Sequence, residues 1–274
     1  MLTFYNKDKK GWNDQVAGFK YYNFYSLYEW GEFSKTLNWQ VLRIIKQTNN
    51  KTDFIAQLLI KKKFFITLVW IPGGPLGDIK VFNREIKQLI KNKFKNTIFL
   101  FNSSDQNNLN IANYLMNNFW TQTYLSGSAK FRMEMDLDKN LEIIKNNLSK
   151  NWRHNLNRSN REEFLNKKYN KNNIKNILKV FEQIEKHKKI KFNYNFNYID
   201  NLHKIFNKNI FTFLLFDKND NLLSFRSIIF LNDYAWDLLA GSSLNGRKNY
   251  SSYKSLWKII EFCKLNKIKK YDLS

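Results

Sequence analysis

The chain has 274 residues, 43% of them hydrophobic and 17% aromatic, and its 46 Lys and Arg against 23 Asp and Glu give a formal charge of +23. That apolar content excludes a chain disordered throughout, and the lack of any run of about 18 uncharged apolar residues excludes a helical membrane span. A single cysteine, Cys263, excludes an internal disulfide, and Met1-Leu2-Thr3-Phe4 lacks the basic-then-apolar start of a signal peptide, so a cytoplasmic location is expected.

Residues 24–37 open with Ser26 as an N-cap and place Leu27, Trp30, Phe33 and Leu37 three to four apart, the spacing of a short amphipathic helix. Residues 39–46 alternate as a strand, 48–52 form a polar turn, and 53–60 and 64–71 read as two further strands. Pro72-Gly73-Gly74-Pro75 breaks the last of these into a loop. Residues 80–94 return to helical spacing through Ile86, Leu89, Ile90 and Phe94, and 97–101 is a strand.

Helical spacing follows at 108–118, then a strand at 130–137 alternating Phe131, Met133, Met135 and Leu137 with polar neighbours. Residues 139–166 read as one basic helix with Leu141, Ile144, Leu148, Trp152, Leu156 and Phe164 on its apolar side. Helices are expected at 172–187 and 198–206. The chain closes with apolar runs at 211–216, 222–230 and 233–240, the loop Gly241-Ser242-Ser243, a helix over 250–264 and a strand at 269–273.

Strand, turn, strand, strand, loop, helix, strand therefore occurs twice, and a repeated order carries more weight than either copy. It is the core order of the acyl-transferring GNAT fold. The expected class is α+β: two GNAT-like domains in tandem, residues 1–137 and 138–274, each a mixed sheet flanked by helices.

The chemistry-bearing residues are sparse. His154, His187 and His203 lack ligand spacing, so neither a zinc site nor a Cys–His pair with Cys263 is expected, and that cysteine reads as a small buried apolar residue. No P-loop and no G-x-G-x-x-G after a strand occurs. Acetyl-CoA-dependent GNAT enzymes carry a glycine-rich turn near [QR]-x-x-G-x-[GA] whose N–H groups hold pyrophosphate. The stretch 241–250 has glycines and cations without that spacing, and the 72–77 loop fits no better. The positive charge suits nucleic acid or an anionic membrane surface; a Lys-, Asn- and Ile-rich compositional bias accounts for it equally well.

Four segments, in order, resemble the Fem family of peptidoglycan-bridge aminoacyltransferases, which are tandem GNAT-like proteins. Tyr28-Glu29-Trp30-Gly31-Glu32-Phe33-Ser34-Lys35, followed by Trp39, is similar to the family's N-terminal helix. Pro72-Gly73-Gly74-Pro75-Leu76-Gly77-Asp78 resembles its G-P loop, and Ser149-Lys150-Asn151-Trp152-Arg153-His154-Asn155-Leu156 its second-domain basic helix. Ala240-Gly241-Ser242, then 250–260, then Tyr271-Asp272-Leu273 resembles the closing A-G-(S/A)…Y-D-(L/F)-G-G signature.

The resemblance implies transfer of an aminoacyl group from aminoacyl-tRNA to an amine of a UDP- or lipid-linked cell-wall precursor. No bound cofactor is implied; the alternative donor is acyl-CoA, in surface-polysaccharide synthesis. The partners are polyanionic, which a basic surface suits. Lys35 matches a family lysine associated with precursor phosphate, or is an ordinary helix lysine. Arg153 matches an arginine of the basic helix, or serves a structural pairing. Tyr250 and Tyr253 match aromatic positions near the acceptor channel, or are core aromatics. Asp272 ends the last strand as a carboxylate facing a cleft, or as turn chemistry.

Two departures stand out. Asn102 occupies a position acidic in some relatives, and the chain reaches Ser274 at the first glycine of Y-D-L-G-G, before the family's F-K-x-x-F-G-like segment. Either that segment lies beyond this sequence, leaving a sheet edge uncovered, or the enzyme works without its lysine. No long heptad segment matches the coiled-coil arm of some tRNA-dependent members.

Overall fold

A computed structural model of the protein describes residues 2–93, 96–102, 109–123 and 132–273. The chain forms two compact units, dividing between Lys130 and Phe131.

The first unit runs β1 (Leu2–Phe4), α1 (Lys9–Ala17), α2 (Tyr28–Thr36), β2 (Gln40–Thr48), β3 (Lys51–Lys63), β4 (Ile66–Ile71), β5 (Leu76–Gly77), α3 (Ile79–Lys93), β6 (Thr97–Phe101) and α4 (Leu109–Met116). Its sheet has the order β1-β2-β3-β4-β6, with β5 paired to β3. Only β4 and β6 are parallel, in register from Thr67↔Thr97 to Ile71↔Phe101, with α3 as their crossover. The middle of β3 is a continuous buried run because both sheet faces are covered. Phe54, Ala56, Leu58 and Ile60 share a core with Ile79, Phe82, Ile86 and Leu89, the face of α3 spaced at three and four. On the other face Gln57 Nε2 donates to the carbonyls of Tyr25 and Leu27, fixing the approach to α2.

Helix α1 was not legible in the sequence. Only Trp12 and Val16 are apolar anchors, and the helix starts because Asp8 accepts from the Gly11 N–H. It holds because Trp12 is wholly buried and its Nε1 donates to the Ser26 carbonyl at 2.8 Å.

The second unit runs β7 (Glu134–Asp136), α5 (Leu141–Asn147), α6 (Lys150–Ser159), β8 (Leu165–Lys168), α7 (Ile174–Lys188), α8 (Phe196–Phe206), β9 (Ile210–Phe216), β10 (Leu222–Leu231), β11 (Tyr234–Ser242), α9 (Leu244–Lys248), α10 (Ser251–Leu265) and β12 (Lys270–Asp272). The sheet order is β7-β12-β11-β10-β9-β8, and only β11 and β12 are parallel. The strand at 134–136, which the sequence groups with the first half, joins this second sheet through β12.

Where periodicity predicts one helix over 139–166, the structure has two helices and a strand. The break is local: Leu148 is extended, and the Ser149 hydroxyl accepts from the Trp152 N–H as a new N-cap. Residues 165–168 then leave helical geometry to pair with β9. β10 is buried on both faces. Its Ile228 packs with Trp257, Ile259, Ile260 and Cys263 of α10, whereas Phe225 meets Phe181 of α7 at 5.2 Å. Burial pushes the Cys263 thiol up to about 12, so it stays protonated near neutrality and acts as a core residue.

Two glycines are fixed by close approach. A Cβ on Gly246 would lie 2.0 Å from the Leu223 carbonyl oxygen, and one on Gly77, at φ +103°, would lie 2.2 Å from that of Asp53.

Candidate functional site

The second unit opens at the C-terminal half of β11. β12 pairs with β11 only from Tyr234↔Lys270 to Trp236↔Asp272. Beyond that ladder β11 continues to Ser242, with Ala240 exposed and Leu238, Gly241 and Ser242 half-buried. A strand edge of this kind turns backbone N–H groups outward, the donors that a developing oxyanion requires.

A bulge lies where the ladder ends. Ser227 pairs with Leu239 and Ile228 with Asp237, so Leu238 is an extra residue on β11. The side chain of Asp237 is thereby held between two donors: Tyr271 Oη on Oδ1 at 2.8 Å and Arg226 Nη1 on Oδ2 at 3.1 Å. Arg226 Nε is buried and has no hydrogen-bond partner among the described residues. Burial raises the Asp237 carboxyl above its ordinary range, against the pull of Arg226 and of the Tyr271 hydroxyl. Burial and then the Asp237 charge hold the Tyr271 phenol well above its usual range. Burial opposes the Arg226 charge, but Asp237 and Tyr271 outweigh it and raise its pKa. A carboxyl with raised proton affinity, beside an open strand edge, is chemically suited to accept a proton from an amine.

An aromatic wall stands next to Gly241. A Cβ there would meet Phe225 at 2.6 Å and Val180 at 3.0 Å. Phe181 packs on Phe225, and on Phe192 and Tyr194 of the segment between α7 and α8, with centroids 4.8–5.2 Å apart. Phe192 and Tyr194 stack at 5.3 Å, and Tyr198 continues the wall 4.9 Å from Tyr194. Sequence reasoning passed over these residues, although Phe192, Tyr194, Phe196 and Tyr198 alternate with asparagines in a visible pattern.

Several N–H groups at the turns that would cradle a pyrophosphate bond the chain's own side chains. In the second unit the Gly246 N–H donates to Ser243 Oγ, the Leu244 N–H to Gln183 Oε1 and the Arg247 N–H to the Ser243 carbonyl. Ser251 Oγ closes the loop by donating to the Gly246 carbonyl at 2.9 Å. In the first unit Asp78 caps α3, accepting from the N–H groups of Lys80 and Val81 at 2.8 and 3.1 Å. A carboxylate at that helix end repels a phosphate that would otherwise bind there.

The sequence-marked residues separate. Lys35, in the first unit, is half-exposed and donates to Glu32, which also accepts from Arg43. In the second unit Arg153 turns back on α5, donating to the Asn146 and Leu148 carbonyls at that helix's end. Tyr250 has left-handed φ 55° and accepts from Arg158 Nη1 at 2.6 Å. Tyr253 meets Trp152 edge-on at 5.4 Å, so the two tyrosines share the α6–α10 face with Arg158. Lys254 extends that face and donates to Asn160 Oδ1 at 2.6 Å. Asp272 is 1% exposed, in register with Trp236 and Glu134 and 3.8 Å from Arg132 Nη1. Among the described residues no three His, Cys, Asp or Glu converge as metal ligands, and no helix is long and apolar enough to cross a membrane.

No protein-family model matches the sequence, and no curated protein sequence matches it. Solved structures do match. FemX superposes with a TM-score of 0.82 over 99% of this chain and 88% of its own, at 13% identity. The structure of L-PGS from Bacillus licheniformis gives 0.56 over 97% and 78%, at 13% identity. A tandem GNAT protein from the clavulanic acid biosynthesis pathway gives 0.53 over 99% and 89%, at 8% identity. The fold is a Fem-like tandem of two GNAT-like domains, as its sequence order implied.

Proposed function

We propose that the protein is an N-acyltransferase of the aminoacyl type, moving an aminoacyl group from aminoacyl-tRNA to an amine of a UDP- or lipid-linked peptidoglycan precursor. The observation that carries the choice of donor is the state of the two phosphate turns. Ser243 and Gln183 accept from N–H groups of one and Asp78 caps the other, which disfavours the pyrophosphate of an acyl-CoA.

Amine attack on an aminoacyl ester needs alignment, removal of a proton and donors for the oxyanion. The edge of β11 supplies donors, Asp237 supplies a carboxyl of raised proton affinity, and the wall of Phe181, Phe192 and Tyr194 supplies an apolar flank. Tyr250, Tyr253 and Arg158 are assigned to the RNA side of the same unit. There the guanidinium lies 5.2 Å from the Tyr250 ring centroid, a cation with an aromatic platform beside it. Lys35 is assigned to precursor phosphate, Arg153 to holding the α5–α6 corner, and Asp272 to the support of Trp236 at the strand opening. The donor amino acid is carried by the tRNA, and the charge of +23 favours both polyanionic substrates and a cytoplasmic membrane face.

The test is a transfer assay with mass-spectrometric readout. Purified protein is given UDP-linked muropeptide with either a charged tRNA pool or acetyl-CoA, and in parallel phosphatidylglycerol vesicles with the charged pool. Gain of one aminoacyl residue on the muropeptide, dependent on charged tRNA, is the expected result. Acetylation from acetyl-CoA overturns the donor; aminoacylation of the lipid alone overturns the acceptor.

A further inference from the structure

The hairpin joining β3 to β4 breaks the turn chemistry that the chain's other two-residue hairpins obey. Lys63 pairs with Ile66, so the turn is the two residues Phe64 and Phe65. Two-residue hairpin turns need a left-handed residue, which Asn and Gly adopt readily and a bulky aromatic does not. The protein's other tight hairpins follow that rule. Asn49 and Asn50 join β2 to β3 at φ 50° and 61°, and Asn232 at φ 52° precedes Asp233 between β10 and β11. Here Phe64 takes φ 53° instead.

Among the described residues the strain secures no packing. Phe64 is 92% exposed, Phe65 76% and Ile66 40%, so the aromatic pair stands in solvent at the end of a long hairpin. Nothing about folding favours phenylalanine there over asparagine. A local rule broken without a local gain points to a role for the exposed side chains.

Their neighbours indicate what the tip meets. Lys61, Lys62 and Lys63 precede it, all exposed. Lys61 lies 5.2 Å from the Trp39 ring and Lys63 6.0 Å from the Phe64 ring. A protein partner would bury aromatics in a pocket, with cations opposite acidic groups. An anionic bilayer takes both elements at once: the rings enter the headgroup boundary while ammonium groups remain at the phosphate level.

We propose that the β3–β4 hairpin tip, Lys61 to Ile66, is a membrane-docking element that inserts Phe64 and Phe65 into the interface of an anionic lipid surface. It goes beyond the proposed transfer reaction and does not depend on it, since the element acts by binding alone. If the acceptor is lipid-linked, docking also holds the enzyme in the layer where that acceptor diffuses.

The experiment uses the full chain and co-sedimentation with vesicles of phosphatidylglycerol and phosphatidylcholine, against vesicles of phosphatidylcholine alone, at about 0.1 M salt. Wild-type protein is expected to bind the anionic vesicles and to release as salt rises. The Phe64→Ser/Phe65→Ser variant is expected to lose at least about tenfold in affinity while its melting temperature stays level or rises. Lys61→Ala/Lys62→Ala/Lys63→Ala is expected to lose binding as well. A control of equal charge, Lys175→Ala/Lys179→Ala/Lys218→Ala, is expected to bind like wild type. A Phe65→Trp variant should shift its emission to the blue on anionic vesicles and be quenched by brominated lipid.

The proposal is overturned by wild-type protein that ignores anionic vesicles, or by an equal loss in both lysine triples, which would mean diffuse attraction. An unquenched Phe65→Trp on bound protein overturns it too, as does a concentration-dependent dimer that the two serines abolish. Because lipid binding is read without donor or acceptor, a failure of transfer leaves this result intact, and the reverse.

Discussion

The two units build the same strand order to different ends, and the parallel strand pair shows where they part. In the first unit β4 and β6 stay in register over five positions, and the core beneath them is aromatic: Phe101 meets Phe82 and Trp120 edge to face at 5.7 and 4.8 Å. In the second unit β11 and β12 keep register over three, a bulge follows, and the core beneath the opening holds Arg226, Asp237 and Tyr271. A closed pair with an apolar floor is what stability alone selects. An opened pair above partly buried charges carries a desolvation cost and is retained where the charges do something. The first unit's buried ion is treated differently. Arg43, only 7% exposed in its side chain, is engaged through Nε and Nη2 by Gln57, Glu32 and the Tyr28 carbonyl and lies over the Tyr28 ring, and so locks α2 to the sheet.

The sharpest way to break this contrast is to remove one partly buried charge. Asp237→Ala leaves Arg226 and Tyr271 unpaired, with an expected destabilisation of about 3–5 kcal/mol by denaturant titration. The milder Asp237→Asn variant should fold and still lose transfer by about a hundredfold in kcat/KM. In the first unit Asn83→Ala removes the bonds to Tyr114 and Trp120. It should cost about 1–3 kcal/mol and leave kcat unchanged. Equal activity losses from Asn83→Ala and Asp237→Asn would erase the distinction between platform and site.

Gly246→Ala tests the second unit's turn. Its methyl group would press on the Leu223 backbone, for an expected loss of about 2–3 kcal/mol. Gly18, with its nearest neighbour 3.3 Å away, should tolerate alanine within about 0.5 kcal/mol.

Arg158 and Lys254 donate to the neutral oxygens of Tyr250 and Asn160, so their charge is not offset by these bonds. Arg158→Ala/Lys254→Ala should weaken tRNA binding about tenfold and lower the log–log salt slope by about 1.4, measured by filter binding. The same pair of substitutions at Lys175 and Lys179 should change little.

His203 sets a pH limit on the second unit. Its Nδ1 faces the Ile199 carbonyl and its Nε2 lies 2.8 Å from the Thr212 hydroxyl, and burial lowers its pKa below the usual imidazole value. The unfolded chain therefore binds the proton more readily. The stabilising contribution is complete above about pH 6.5 and is lost as pH falls through the depressed folded value, at up to about 1.4 kcal/mol per pH unit. Melting temperatures between pH 7.5 and 5 should show the fall, and His203→Gln should flatten it.

The smallest stability effect is expected at Lys35. Its bond to Glu32 is half-exposed, so Lys35→Ala should cost under about 1 kcal/mol. A role in holding precursor phosphate predicts a raised KM for the muropeptide with kcat preserved. An unchanged KM would return Lys35 to the role of an ordinary helix lysine.

Most of the elements were legible because burial imposes a period. The alternate burial of β4, the three-and-four spacing of α3 and the continuous runs of β3 and β10 are direct records of what each face touches. The order of those elements, met twice, carried the tandem fold. Elements held by one or two anchors were not legible: α1 rests on Trp12 and Val16, and β8 on pairing with β9. Of the marked residues, Tyr250 and Tyr253 come together on one face, while Arg153 caps the end of α5.

Sequence alone determined the apolar pattern, the charge and the repeated order, because hydrophobic burial and turn chemistry act over a few neighbouring residues. Tertiary structure alone decided the site. Arg226, Asp237 and Tyr271 are scattered over three strands, and only the sheet register, shifted by one bulged residue, brings their polar atoms within 3.1 Å. Phe64 and Phe65 belong to both accounts: the sequence shows them beside three lysines, but only the folded hairpin shows that, among the described residues, none comes to cover them.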